Sequence, residues 1–307
     1  MKRAILAILV LAFGLTTALA FRYGDRKVTI RSSSDDPLSD DCSDHLHDYG
    51  RHYDSVLRDE ESRSLPNQPL NFNAEQNGGI LISTWDRPDF SVKLCKQVAS
   101  DSDTEGRKIL AETKLAINGD TVSVNSPERD GDYSLSTLLL VKAPRDAKVN
   151  MKVQNGGISV RRFTGTAEAK AINGGISLKE SRGKLTVRAQ NGGISIKDCA
   201  GDVTADVENG GLSITLPQHW DGKGLDAHTE NGGLVVGIPR NFDSALEISG
   251  SEHVSIICRG DVCENGQRTW DNGHRMFRLG GGTPQIKATT VNGGIVIQNS
   301  ERARDMM

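Results

Sequence analysis

Four side chains past the middle of the chain have the types that hydrolytic chemistry uses: Asp206, Glu208, His228 and Glu230. Asp206 and Glu208 stand two residues apart, as do His228 and Glu230. On a strand each pair therefore leaves the same face. Carboxylates about 5–7 Å apart would suit retaining glycoside hydrolysis, one of them holding a raised pKa as the acid. With the histidine they could also ligate a metal. Nothing nearby in the sequence supplies a cleft or a clamp for an electrophile, so the expectation is no catalytic residue and no enzyme.

Two sets of cations recur every 18 residues: Lys152, Lys170, Arg188 and Arg161, Lys179, Lys197. The hydroxyls Ser159, Ser177, Ser195 and Ser213 keep the same period and are expected to run between them. Stacked like charges repel unless screened or matched by an anion. Spaced cations of this kind could form a track for an anionic glycan or an acidic envelope surface. The plainer reading is that outward Lys and Arg keep a sheet soluble and discourage lateral association.

A third cluster, Asp40-Asp-Cys-Ser-Asp-His-Leu-His-Asp48 followed by His52, has metal-ligand types. His-x-His spacing in a polar stretch is also what a solvated linker looks like, and no metal or other cofactor is expected. Five cysteines cannot all pair. Cys258 and Cys263 are close enough for a small disulfide ring, Cys42–Cys95 is a second pairing, and Cys199 is the candidate free thiol.

The element that must position these groups is a repeat. Asn-Gly-Gly begins at Asn155, Asn173, Asn191 and Asn209, always 18 residues apart, and again at Asn77, Asn231 and Asn292. Before each regular copy, apolar residues alternate, as in Val149, Met151, Val153 and Val203, Ala205, Val207. Alternation resumes after it, as in Ile158/Val160 and Ile194/Ile196. Each unit reads as strand, Asn-Gly-Gly corner, strand, then a second corner at Gly165, Gly183 or Gly201. Asn-Gly between alternating runs also fits an antiparallel meander. Three features favour an all-β, single-stranded parallel β-solenoid (β-helix) with about 18 residues per coil. Spacing is kept to the residue, the inward residues are small, and the Asn shares their parity. Asn155, Asn173, Asn191, Asn209, Asn231 and Asn292 would then stack as an amide ladder.

The Asn-Gly-Gly-Ile-Ser units, with Gly-x-[Leu/Val]-Thr-[Val/Ala] between them, resemble the bacterial putative-adhesin repeat family. Asn77-Gly-Gly-Ile-Leu-Ile-Ser-Thr-Trp-Asp86 and Leu139-Leu-Val-Lys-Ala-Pro144 resemble its N-terminal part. The resemblance covers roughly residues 68–299. It implies an exported β-solenoid and says little about activity.

Along the chain, residues 1–20 read as a secretory signal peptide: Lys2 and Arg3, an apolar run, then Ala18-Leu19-Ala20. No later stretch is long and apolar enough to cross a bilayer. Residues 21–64 read as a flexible polar tether and 65–299 as the repeat domain, with regular units over 149–238. Residues 103–115 suggest a short amphipathic helix capping the open N-terminal end. Residues 259–283 read as an excursion loop and 300–307 as a frayed tail. A net charge of −3 gives no reason to expect nucleic acid. The reading is an exported, non-enzymatic structural or adhesion module presenting repeated surface sites. A polysaccharide-active enzyme using Asp206, Glu208, His228 and Glu230 is the competing one.

Overall fold

A computed structural model describes residues 18–23, 26–31, 41–46, 53–74, 77–127, 132–271, 273–283 and 285–300. Most of residues 1–20, together with His47, Asp48, His52 and 301–307, therefore lies outside the described residues.

The chain is all-β, built on a 12-stranded and an 11-stranded sheet that share one buried apolar cluster. In the middle, the strands obey the repeat. Lys148–Val153, Thr166–Ala171, Arg182–Asn191, Ala200–Asn209 and Gly224–Asn231 lie side by side in the 12-stranded sheet. Pairing is parallel and in register, so Val149, Ala167, Leu185, Val203 and Leu225 form one buried row. Ile158–Arg161, Ile176–Lys179, Ile194–Lys197, Leu212–Thr215 and Leu234–Ile238 do the same in the other sheet. Strict alternation of buried and outward side chains is what two sheets packed on one core require.

The expectation of a single-stranded parallel β-solenoid is corrected at both ends, because both sheets are mixed. Ser55–Pro66, Asp89–Ser100 and Tyr133–Ala143 pair antiparallel and close one end of the 11-stranded sheet. Lys114–Asn118 turns back on Thr121–Asn125 at one end of the 12-stranded sheet, with Gly119 at φ 62° in the turn. At its other end, Gln267–Asp271, His274–Leu279 and Leu246–Gly250 pair antiparallel. A stack of parallel strands ends in unpaired N–H and C=O groups, and locally connected antiparallel strands satisfy one more row of them. Among the described residues several stretches thus differ from their sequence reading. Ala18–Tyr23 and Arg26–Arg31, read as the end of a signal peptide and a flexible tether, pair antiparallel as a two-stranded sheet. Residues 55–64 are sheet edge, and 267–271 and 274–279 form a hairpin.

The 61-residue step from Asn231 to Asn292 is a detour. Strand Ile286–Asn292 returns to lie between Gly224–Asn231 and Leu246–Gly250, and Ile295–Asn299 lies between Leu234–Ile238 and Ile256–Arg259. The helix Asp103–Glu112 does not cap the parallel stack. Ser102 caps its N-terminus, its hydroxyl accepting from Glu105 N–H, and Ile109 and Leu110 pack on Val98, Leu57 and Leu135 of the antiparallel strands. No helix among the described residues is long and apolar enough to cross a membrane.

Candidate functional site

The two basic columns are in register along their sheets. Lys152, Lys170 and Arg188 face each other across neighbouring strands, and so do Arg161, Lys179 and Lys197. The structure does not bring the columns together. The first lies on the outer face of the 12-stranded sheet and the second on that of the 11-stranded sheet, with the shared core between. Ser159, Ser177, Ser195 and Ser213 flank the second column only, and Ser159 accepts a hydrogen bond from Arg161 Nε at 3.1 Å. Sequence parity shows which residues point outward but not which of two sheets carries them, so a single track was the natural but incorrect inference.

Carboxylates interleave both columns. Lys170 Nζ is 2.7 Å from Glu168, and Arg188 Nε is 3.2 Å from Asp206. On the other sheet Glu180 lies 2.9 Å from Arg162 and 3.7 Å from Lys179. The hydrogen bond from Lys170, with the charges of Lys170, Arg188 and Lys152, holds the Glu168 carboxyl below its ordinary range. A hydrogen bond from Arg162, helped by Lys179, does the same for Glu180. Burial instead lowers the pKa of the Arg161 guanidinium, which is 7% exposed. A lowered carboxylate pKa stabilises the fold above the unfolded value, and that stabilisation is lost as pH falls through the folded value. Glu168→Gln is therefore expected to lower stability at neutral and alkaline pH and leave it nearly unchanged at strongly acid pH, so that the acid limb of a urea-denaturation profile flattens.

Asp206 and His228 are direct partners on adjacent strands, and Glu208 and Glu230 lie in the next outward row. All four stand on the open face of the 12-stranded sheet. Asp206 is engaged by Arg188, and His228 Nδ1 is 2.7 Å from Thr289 Oγ1. An open sheet face neither excludes water nor holds a substrate against two carboxylates, which is what acid–base catalysis demands. Among the described residues no group of three His, Cys, Asp or Glu is placed to hold a metal ion.

The Asn side chains are a row at one corner. Nδ2 of Asn173, Asn191, Asn209, Asn231 and Asn292 donates in turn to Oδ1 of the preceding Asn, at 2.9, 3.1, 3.3, 3.2 and 3.0 Å. The row is partly to fully exposed rather than inward, so its role is to lock tiers in register. At the opposite corner Arg162, Glu180 and Asp198 are left-handed, with φ of 46°, 52° and 51°. Side chains with a Cβ are disfavoured there by about 1 kcal/mol. Asp198→Gly should accordingly raise the melting temperature slightly, as read by calorimetry.

Cys258–Cys263 and Cys42–Cys95 are disulfides. The second ties the segment Asp41–Leu46 onto the outer face of the 11-stranded sheet, over Leu81, Leu138 and Leu140. Cys199 is free and buried, and burial pushes its thiol up to about 11. It should resist alkylation at pH 8 in the folded chain, because little thiolate forms.

One group escaped the sequence reading. Trp270 is 58% exposed on the edge strand Gln267–Asp271, with the Arg275 guanidinium 5.2 Å from its ring centroid. The available signal was the dipeptide Asn272-Gly273, which favours a tight hairpin turn.

No family model and no curated protein matches the chain. Solved structures similar to it include a putative cell adhesion protein from Clostridium sporogenes, 12% identical, covering 79% of this chain and 100% of that one, with a TM-score of 0.30. A putative adhesin from Bacteroides fragilis is 11% identical over 78% of this chain and 97% of its own, with a TM-score of 0.39. A putative lipid binding protein from Parabacteroides distasonis is 10% identical over 78% and 96%, with a TM-score of 0.36. At these TM-scores the likenesses carry no argument about fold or function; this chain is similar to structures described as bacterial adhesins.

Proposed function

We propose that the protein is an exported, non-enzymatic surface-binding module, a stiff stack of sheets that presents repeated groups to an anionic partner such as an acidic glycan. The observation that supports it is the register of the outward rows. Lys152, Lys170 and Arg188 on one face, and Ser159, Ser177, Ser195 and Ser213 on the other, repeat on successive strands of open faces. Neighbouring strands lie about 4.8 Å apart, so each row is a ruler of identical groups. Contacts that are weak singly become firm when several engage one polymer, and the stiffness of the stack keeps the ordering cost low. The interleaved carboxylates temper the attraction: each face is mildly rather than strongly cationic, which favours reversible, salt-sensitive contact.

The test is binding of the chain from Phe21 onward to acidic and neutral glycans at low and physiological salt. Binding to acidic glycans that weakens with salt supports the reading. Absence of binding to every glycan by a folded monomer would leave the protein a structural spacer. A triple change of Lys170, Arg188 and Lys179 to Glu, which reverses charge on both faces, reports whether the basic columns take part.

A further inference from the structure

The end of the 12-stranded sheet carries a group unlike the columns. In the hairpin of Gln267–Asp271 with His274–Leu279, Trp270 is the direct partner of Arg275, and Arg268 that of Phe277. Directly paired residues leave the same face of a sheet, so Arg268, Trp270, Arg275 and Phe277 share one. Phe277 is wholly buried and seals the core, whereas Trp270 on the same face stays 58% exposed. Trp220, by contrast, is 1% exposed and donates its indole N–H to the Gly201 carbonyl. The Arg275 guanidinium lies against the Trp270 ring, yet its Nε is buried without a hydrogen-bond partner. Arg278, on the other face, is matched by Glu247 at 2.7 Å, while neither Arg268 nor Arg275 has a carboxylate partner among the described side chains. An exposed indole costs solvation, and two uncompensated guanidiniums beside it make the spot locally cationic on a chain whose net charge is −3.

We propose that Trp270, Arg275 and Arg268 form a binding site for one acidic sugar unit of an anionic glycan, a proposal that rests on the surface-binding reading and gives it a specific anchor. The apolar C–H face of a pyranose stacks on the indole, and the unit's carboxylate or sulfate accepts hydrogen bonds from the terminal nitrogens of the guanidiniums. Charge complementarity selects the acidic sugar, and the flat ring selects a pyranose over a compact inorganic anion. A single-stranded nucleic acid would also stack, but it needs a continuous basic groove to follow its backbone, whereas the basic columns are interleaved with the carboxylates Glu168, Glu180 and Asp206. The columns then add avidity along the polymer while this site fixes one unit.

The experiment is calorimetric titration of the chain with an oligogalacturonate, its methyl-esterified neutral form, a heparin oligosaccharide and poly(dT). It is run on wild type, Trp270→Ala, Arg275→Gln, Thr269→Ala on the opposite face of the hairpin, and Lys170→Glu/Arg188→Glu. Equal melting temperatures guard against misfolding, and Trp270 is exposed enough for its truncation to be tolerated. The expected result is at least tenfold weaker binding of an acidic oligosaccharide in Trp270→Ala and in Arg275→Gln. Thr269→Ala should bind as wild type, and the neutral ester should bind worse than the acid. Which of the two acidic probes binds better identifies the carboxylate or the sulfate as the preferred group. Wild-type affinity in Trp270→Ala overturns the site. Acidic binding lost only in the Lys170→Glu/Arg188→Glu variant also overturns it, while leaving the surface-binding reading standing. Tighter binding of poly(dT) than of either acidic glycan, dependent on Trp270, overturns the glycan assignment. No binding of any probe overturns both readings.

Discussion

Gly232→Ala is expected to remove about 3–5 kcal/mol, a large share of a folded domain's stability, while Gly233→Ala beside it costs about 1 kcal/mol or less. The contrast follows from where the chain tiers touch. A Cβ on Gly232 would lie 1.8 Å from the carbonyl oxygen of Gly210, whereas one on Gly233 would lie 3.6 Å from that of Gly294. The first is backbone against backbone, with no flexible side chain to yield; the second is ordinary contact. Gly232 N–H also donates to the Asn292 carbonyl at 2.8 Å, so the corner cannot shift without losing a ladder hydrogen bond. The same close approach recurs at Gly192, whose Cβ would meet the Gly174 oxygen at 2.2 Å. This is the physical reason the first glycine of Asn-Gly-Gly recurs: each corner rests on the corner of the next tier. Urea denaturation of the pair of variants checks it, and equal costs would show that the corners are not in backbone contact.

Lys96→Met is expected to destabilise by about 3 kcal/mol, the cost of breaking a buried charge arrangement from one side. Lys96 is 1% exposed, and its Nζ donates to the carbonyls of Leu110 and Thr113 at 3.3 and 3.2 Å and meets Asp59 at 2.5 Å. The carbonyls end the helix Asp103–Glu112, where partial negative charge accumulates and the last C=O groups lack helical partners. Without the ammonium they are buried and unpaired. The hydrogen bond from Lys96 is the main cause of the depressed pKa of Asp59. A depressed carboxylate stabilises above its unfolded pKa and loses that contribution as pH falls, so the variant should be less stable at neutral pH and show a shallower acid decline. A denaturation midpoint that falls with an unchanged slope against denaturant is the expected signature. An unchanged midpoint would mean that water replaces Lys96 at no cost.

The middle of the molecule was legible because its constraint is periodic. Parallel strands in register force the same residue types to recur, and Val149, Ala167, Leu185 and Val203 state which side is buried. The ends were not legible for the complementary reason. Antiparallel closure imposes no repeat, so Ser55–Pro66, with its many charges, reads as a linker although it pairs along its whole length with Asp89–Ser100. Lys96 sits where alternation calls for an apolar residue, and only the helix packed over it explains the charge. At the surface, parity identified the outward Lys and Arg but could not assign them to two sheets, nor place Glu168 and Asp206 beside them. Trp270 lay in an aperiodic stretch, where its face is defined only by pairing with Arg275.

A surface-binding module of the kind proposed binds an anionic polymer without transforming it. The most direct measurement is to incubate the folded chain with an acidic polysaccharide, recover the bound fraction, and compare its chain length with that of untreated polymer. Salt should release the bound fraction, with chain length unchanged however long the incubation. Shortened polymer, with the shortening abolished by Asp206→Asn or His228→Ala, would contradict the surface-binding reading and make the open face of the 12-stranded sheet a catalytic one.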